Sequence, residues 1–305
     1  MIKLLLSIAV GSVILMHSPA RAWSEASHMT TGAIAFDDLS VSDPAVMAEL
    51  KKILTAHPHY DKLVERAEGL SDAEQTRLLF QWLARWPDDI RDTEFSRPSW
   101  HYELRVVSGW TWVWPFRNGD ASIGFEENFR TLADPDAPVR DRAIAVSWLM
   151  HIVGDIQQPL HAGHQMTSTF SATDEAGTIS YVRKKNDGTV ANLHEFWDQI
   201  LDKPGAPEAT SDAWAKPLQD LWPRTRIGHL TYSGTPQSQF NNWLDESMHL
   251  ARLVGYTGTA LVASAEPDDA PAVTFYELRR AEELSKRRIA TGGYRIADML
   301  RLALR

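Results

Sequence analysis

Two histidine–aspartate pairs, His151/Asp155 and His194/Asp198, stand four residues apart within largely apolar stretches. That spacing is close to one helical turn, so each pair projects from a single helix face. Taken singly, either pair reads as a surface hydrogen bond. Two pairs set in apolar helices demand more, because buried imidazoles and carboxylates are costly unless something satisfies them. A shared cation does so most cheaply. The chain has no cysteine, so disulfide scaffolds, thiolate metal sites and cysteine nucleophiles are excluded. A metal here must sit on histidine, carboxylate or backbone groups, which suits zinc and is also compatible with manganese or iron.

The surrounding pattern is helical. Ser71-Asp72-Ala73-Glu74 is a capping box opening a helix to about Trp86, with Leu78, Leu79, Trp82, Leu83 and Trp86 on one face. Ser42-Asp43-Pro44 starts another through Leu50 and Leu54, with proline where its missing N–H costs nothing. Helical spacing also marks Val139 to Ile156, ended by Pro159, then Phe240 to Val254 and Ala281 to Leu304. A single region suggests strands: Thr178 to Arg183 and Thr189 to Ala191 flank the turn Asn186-Asp187-Gly188. The proline- and acid-rich stretch Ala265 to Ala272 reads as a joint between helices. With 305 residues at 44% hydrophobic and 23% charged, the expectation is one all-α, mainly helical domain with at most a short hairpin.

The first 22 residues read as a signal peptide. Lys3 precedes an apolar run from Leu4 to Met16, and Ala20-Arg21-Ala22 is a small-residue cleavage signal. The run falls short of the roughly 20 residues a membrane span needs. Cleavage after Ala22 makes Trp23 the new terminus and 23–305 the mature domain, exported to the periplasm or secreted, with no stable membrane association. Without Lys3 and Arg21, the 31 basic residues become 29 against 40 acidic, a formal charge of −11. Binding nucleic acid through a lysine- and arginine-rich surface is therefore not expected.

Further residues gain meaning in combination. Trp23 with His28, W-x-D-x-x-R from Trp86 to Arg91, His101-Tyr102, H-x-x-G-D-x-x-Q-P-L-H from His151 to His161 and N-L-H-x-x-W-D from Asn192 to Asp198 occur in that order. This array resembles the zinc-dependent, single-strand-specific nucleases of fungi, plants and bacteria, relatives of bacterial zinc phospholipase C. Gly292-Gly293-Tyr294-Arg295-Ile296-Ala297 resembles the last helix of that family, so the likeness spans nearly the whole mature chain.

The resemblance implies three zinc ions in a helical cleft. Asp88, His101, His151 and Asp155 would hold the first, and His161, His194 and Asp198 the second. Trp23, through its free α-amine and carbonyl, would hold the third with His28 and a bridging Asp155. By the same match Arg91 braces the phosphate in the transition state and Tyr102 stacks a base; Arg91 and Asp155 are thus the expected catalytic residues. The implied activity is hydrolysis of single-stranded DNA and RNA to 5′-phosphate products, with removal of 3′-phosphates from nucleotides. No protein partner is expected. Three divalent ions would bring the formal charge from −11 to about −5, so phosphate would be drawn by the metals.

Several positions depart from the family pattern. Fungal members have disulfides and this chain has none, while the 32 residues between His161 and His194 lack the usual G-G-N signature. The aspartate that reads the base in fungal members aligns near Leu104, with Glu103 adjacent. The run Trp110-Thr111-Trp112-Val113-Trp114-Pro115-Phe116 reads as a loop packed on the core, with a base-stacking platform as the alternative. His57, His59, His164, His229 and His249 read as surface or packing residues. A phospholipase C is the rival enzyme, but that branch carries glutamate where Asp198 stands. A non-catalytic zinc-binding protein is the third possibility, and it has no need of Arg91.

Overall fold

A computed structural model describes residues 23–108, 118–228, 230–256 and 263–305. Residues 1–22, read as a signal peptide, the aromatic run 110–116 and His229 lie outside the described residues. The architecture is mainly helical, as the apolar spacing predicts. Helices α1 (Glu25–Ser42), α2 (Pro44–Leu54), α3 (Tyr60–Glu65) and α4 (Asp72–Asp89) form the first half. Then come β1 (Arg105–Ser108), α5 (Ala121–Ala133), α6 (Val139–Asp155), β2 (Gly163–Gln165), β3 (Tyr181–Arg183), β4 (Val190–Asn192) and α7 (Leu193–Asp198). Helices α8 (Pro207–Leu221), α9 (Pro236–Leu250) and α10 (Phe275–Ala303) complete the chain. Among the described residues no helix is long and apolar enough to cross a membrane.

Local chemistry sets the helix ends. Asp43 accepts from the Val46 amide to start α2, and Ser71 and Glu74 close the expected capping box on α4. A second capping box, Thr274 with Glu277, starts α10 six residues before the expected Ala281. Thr235 caps α9, which begins at Pro236 and not at Phe240. The first turn of α9 is polar, and in α10 the rings of Phe275 and Tyr276 are exposed, so neither turn extends the buried stripe that marks the helix. Helix α4 continues past Trp86 through Pro87 to Asp89. A proline there removes one N–H near the end of the ladder, and the last turn carries Asp88 with it.

The hairpin forms as read, β3 pairing antiparallel with β4 in the register Tyr181↔Asn192 and Arg183↔Val190. The expectation of a single strand region is incomplete, because β1 pairs in parallel with β2, Arg105 opposite Gly163. A three-residue parallel pairing between distant segments leaves no local period to read. Residues Ser264 and Ala272 bridge to Tyr181 and Arg183, so the proline-rich stretch lies along the hairpin and does not separate domains.

Helix α1 is central, packing against α4, α8 and α10, and nearly every residue from Ala26 to Ala35 is buried. Such burial on all sides requires small residues where backbones meet. A Cβ on Gly32 would lie 2.4 Å from the Phe80 carbonyl oxygen of α4, and one on Gly293 would lie 2.5 Å from Ile34 Cβ. Buried guanidiniums then fasten α10 to the segment following α6. Arg288 donates to the Gln157 carbonyl (3.0 Å) and Arg295 to the Gln157 side-chain oxygen (2.9 Å), while Glu246 accepts from both arginines. Gln157 follows Asp155 by two residues, so this clamp fixes the end of α6.

Gly32→Ala should lower stability by about 1–3 kcal/mol, since the clash is with backbone that cannot rotate away. Gly228 has open space around its Cβ position. Gly228→Ala is the control, and calorimetric melting should show the difference between the two.

Candidate metal centre

Helix ends and two tight turns deliver the polar cluster. The final turns of α6 present His151 and Asp155, both buried, and the last turn of α4 presents Asp88. His28 comes from the first turns of α1, which Ser24 caps. His101 ends the turn Pro98–His101, and His161 ends the turn Pro159–His161, where the Gln158 side chain accepts from the Leu160 amide. Asn192 caps α7 by accepting from the Glu195 amide (2.8 Å), which places His194 and Asp198 on one face.

Asp155 is the shared element. Its Oδ1 lies 3.1 Å from His28 Nε2, and its Oδ2 lies 3.0 Å from His151 Nε2 and 3.1 Å from His101 Nδ1. Asp88 stands 3.7 to 3.9 Å from His28, His101 and His151. Three sets of donor atoms each converge within 4.8 Å: His28/Asp88/His151, His101/His151/Asp155 and His161/His194/Asp198.

The donor chemistry fits metal ions. The Nδ1 atoms of His151, His161 and His194 face the carbonyls of Ala84, His101 and Ala176 at 2.8, 2.5 and 2.9 Å. A carbonyl only accepts, so each Nδ1 carries a proton and each ring turns its Nε2 inward. His161 Nε2 and His194 Nε2 then face each other at 3.2 Å with lone pair against lone pair. Both ring nitrogens of His28 and Oδ1 of Asp155 are buried without a hydrogen bond, although Nε2 and Oδ1 are close. A cation between them would satisfy what hydrogen bonding leaves undone.

Burial shapes the protonation of these groups. It pushes His161 down to about 3 against the opposing charge of Asp155, and it lowers His28, with His151 reinforcing the shift. Burial also opposes ionisation of Asp155, but His151 and His161 outweigh it and hold the carboxyl well below its ordinary range. Asp198 is driven well above that range by burial, the Gln158 hydrogen bond notwithstanding. Imidazoles kept neutral are competent ligands at ordinary pH.

Trp23 is fully buried and its indole donates to the Gly154 carbonyl (3.1 Å), while the Ser24 amide donates to the Asp198 carbonyl (3.2 Å). Trp23, Asp88, Arg91, His194 and Asp198 line one cavity of about 710 Å³. Arg91 lies just beyond α4 and donates to Asp88 Oδ1 (2.5 Å). Tyr102 is half-buried against Gly119, whose φ of +93° and closeness to the tyrosine ring leave no room for a Cβ.

The two positions weighed for base reading are both withdrawn from solvent. Leu104 is buried, and Glu103 is buried and accepts from the Ser122 amide at the start of α5 (3.0 Å). Sequence reasoning passed over Gln158, whose amide donates to Asp198 Oδ1 (3.0 Å) and turns that carboxylate toward His194. The residue stands inside the quoted motif, but its partner lies 40 positions away. Of the remaining histidines, His57 is buried beside Ser147 and packs edge-on against Trp86, and His59 accepts from the Trp86 indole. His164 is buried and His249 exposed.

Nuclease PA3 from a Penicillium species and nuclease P1 from Penicillium citrinum are each 25% identical over 260 residues, covering 77% of this chain and 87% of theirs. Nuclease S1 from Aspergillus oryzae is 23% identical over 240 residues, covering 72% of this chain and 77% of its own. The S1/P1 nuclease family matches residues 23–305, the whole of the described structure, and the chain belongs to that family.

Proposed function

We propose that this family member is a zinc-dependent phosphodiesterase that hydrolyses single-stranded DNA and RNA to 5′-phosphate products and removes 3′-phosphates from nucleotides. The observation that carries this reading is the three convergent donor groups, of which Asp88, His194 and Asp198 line a cavity together with Arg91. Asp88, His101, His151 and Asp155 would hold one ion; His161, His194 and Asp198 a second; and Trp23, His28 and Asp155 a third. The placement of Asp155 supports a bridging role, since its two oxygens face different histidines. Bound zinc supplies Lewis acidity, polarising phosphoryl oxygens and lowering the pKa of water.

The protein groups then have defined tasks. The Arg91 guanidinium lies within the cavity and can turn its fork from Asp88 to two phosphate oxygens. Tyr102 supports a base by stacking. Carbonyl bonds from Ala84, His101 and Ala176 lock the imidazoles, so the donors need not reorganise during reaction. In the hydrolysis a water oxygen bonds to phosphorus and the P–O3′ bond breaks. The electron pair and one proton go to the leaving 3′ oxygen, and the other water proton passes to solvent. Residues 1–22 would act as an export signal removed after Ala22, leaving the Trp23 amine free.

The direct test assays zinc-loaded mature protein on single-stranded DNA, duplex DNA, a 3′-nucleotide and phosphatidylcholine. Single strands and the 3′-nucleotide should be cleaved well and the phospholipid poorly; a preference for the phospholipid would reverse the assignment. Asp155→Asn keeps the shape but removes the shared charge. Its zinc stoichiometry should fall together with kcat/KM, the latter by at least about a hundredfold. A surface hydrogen-bond partner of His151 would instead leave both close to normal, which metal analysis and kinetics would reveal.

Signal removal gives a further prediction. A residue left ahead of Trp23 turns its amine into an amide, a very poor zinc donor. Protein beginning Met-Trp23 should keep its helicity by circular dichroism yet bind one zinc fewer and lose most turnover. The comparison is exported protein with its terminus verified by mass spectrometry, and equal zinc content in the two would show that Trp23 is not a ligand.

A further inference from the structure

The cavity beside the metal-donor groups has an acidic rim. Glu25, Asp89, Asp92, Glu195 and Asp202 all line it, whereas its cationic lining residues are Arg91 and Lys203. Neither of those cations faces the rim freely. Arg91 is paired with Asp88, and the Lys203 ammonium lies over the Trp214 ring, 4.2 Å from its centroid. Behind the rim a single guanidinium, Arg85, is shared between Glu25 (2.9 Å) and Asp89 (2.8 Å). Asp202 accepts from the Ser24 hydroxyl. Among the described residues Asp92 and Glu195 form no ion pair.

We infer that this rim makes the enzyme select substrates carrying few phosphates beyond the scissile one: 3′-phosphorylated nucleosides and very short oligonucleotides in preference to long single strands. The inference rests on the phosphodiesterase reading above and names the substrate class for that same cavity. A single phosphate reaches the donor groups and Arg91. Each flanking phosphate of a longer chain must instead lie within about one Debye length, roughly 8 Å at physiological salt, of uncompensated carboxylates. Ordinary nucleic-acid binding weakens as salt rises, because bound cationic side chains release counterions. Here added salt screens repulsion, so the dependence for long strands has the opposite sign. A substrate with one phosphate has little repulsion to screen.

The test measures kcat/KM at fixed zinc for a 3′-mononucleotide and for oligo(dT) of about 20 nucleotides while sodium chloride rises from about 20 to about 200 mM, across which the Debye length shortens about threefold. Anisotropy of a fluorescent phosphorothioate oligo(dT) gives binding independently of turnover. The expected result is that the oligonucleotide-to-mononucleotide ratio rises severalfold with salt. In Asp92→Asn/Glu195→Gln the low-salt ratio should already be raised, the rise flattened and oligonucleotide binding tightened. A ratio that falls with salt, or a variant indistinguishable from the parent in ratio and anisotropy, overturns the inference and leaves the phosphodiesterase reading intact. Failure of zinc-loaded protein to cleave either substrate overturns both.

Discussion

The structure depends on a polar cluster placed where an apolar core would otherwise close. Asp155 and His151 are fully buried at the end of α6, and His28 is fully buried on α1 beside them. Ionisable groups at that depth are tolerated only when each is paired or bound, and hydrogen bonds here account for part of the set. Backbone carbonyls of Ala84, His101 and Ala176 take the outward nitrogens. The inward ones face each other or Asp155. Helix packing thus assembles buried groups of donors that could hold metal ions.

The rest of the fold serves to hold these groups at fixed distances without disulfides. Small residues on α1 let it contact three helices, and the Gly32–Phe80 and Gly293–Ile34 approaches bring α4 and α10 close enough to frame the site. The Arg288/Arg295/Glu246 clamp on Gln157 and the Gln158 amide on Asp198 act on adjacent residues, fixing the end of α6 and the carboxylate of α7. A clamp with two buried guanidiniums and one carboxylate is demanding to bury. Its hydrogen bonds to Gln157 and Ser247 meet that demand while fixing direction.

Charge is distributed to a purpose as well. The chain has 40 acidic against 31 basic residues, and part of that excess lines the cavity. Asp88 and Asp198 converge with histidines, whereas Asp92 and Glu195 do not. The two classes look alike in composition and differ in which side chains converge.

Much of this was legible in the sequence. The helical class followed from apolar spacing in α4 and α6, the caps of α2 and α4 from Asp43 and Ser71, and the β3–β4 hairpin from Asn186-Asp187-Gly188. The pairs His151/Asp155 and His194/Asp198 could be placed on common faces because an i, i+4 relation is set by backbone geometry alone. Helices α1, α3, α5 and α8 were not read: α1 is buried along most of its length and so shows little alternation, α3 is a single short turn, and α5 and α8 start without a side-chain cap. The parallel β1–β2 pairing, the withdrawal of Glu103 into the start of α5, and the Gln158–Asp198 bond joined residues far apart in the chain. Only tertiary structure could decide these, because they depend on distances that no local periodicity encodes. For the same reason the sequence supplied the donor residues, while packing determined which lone pairs meet.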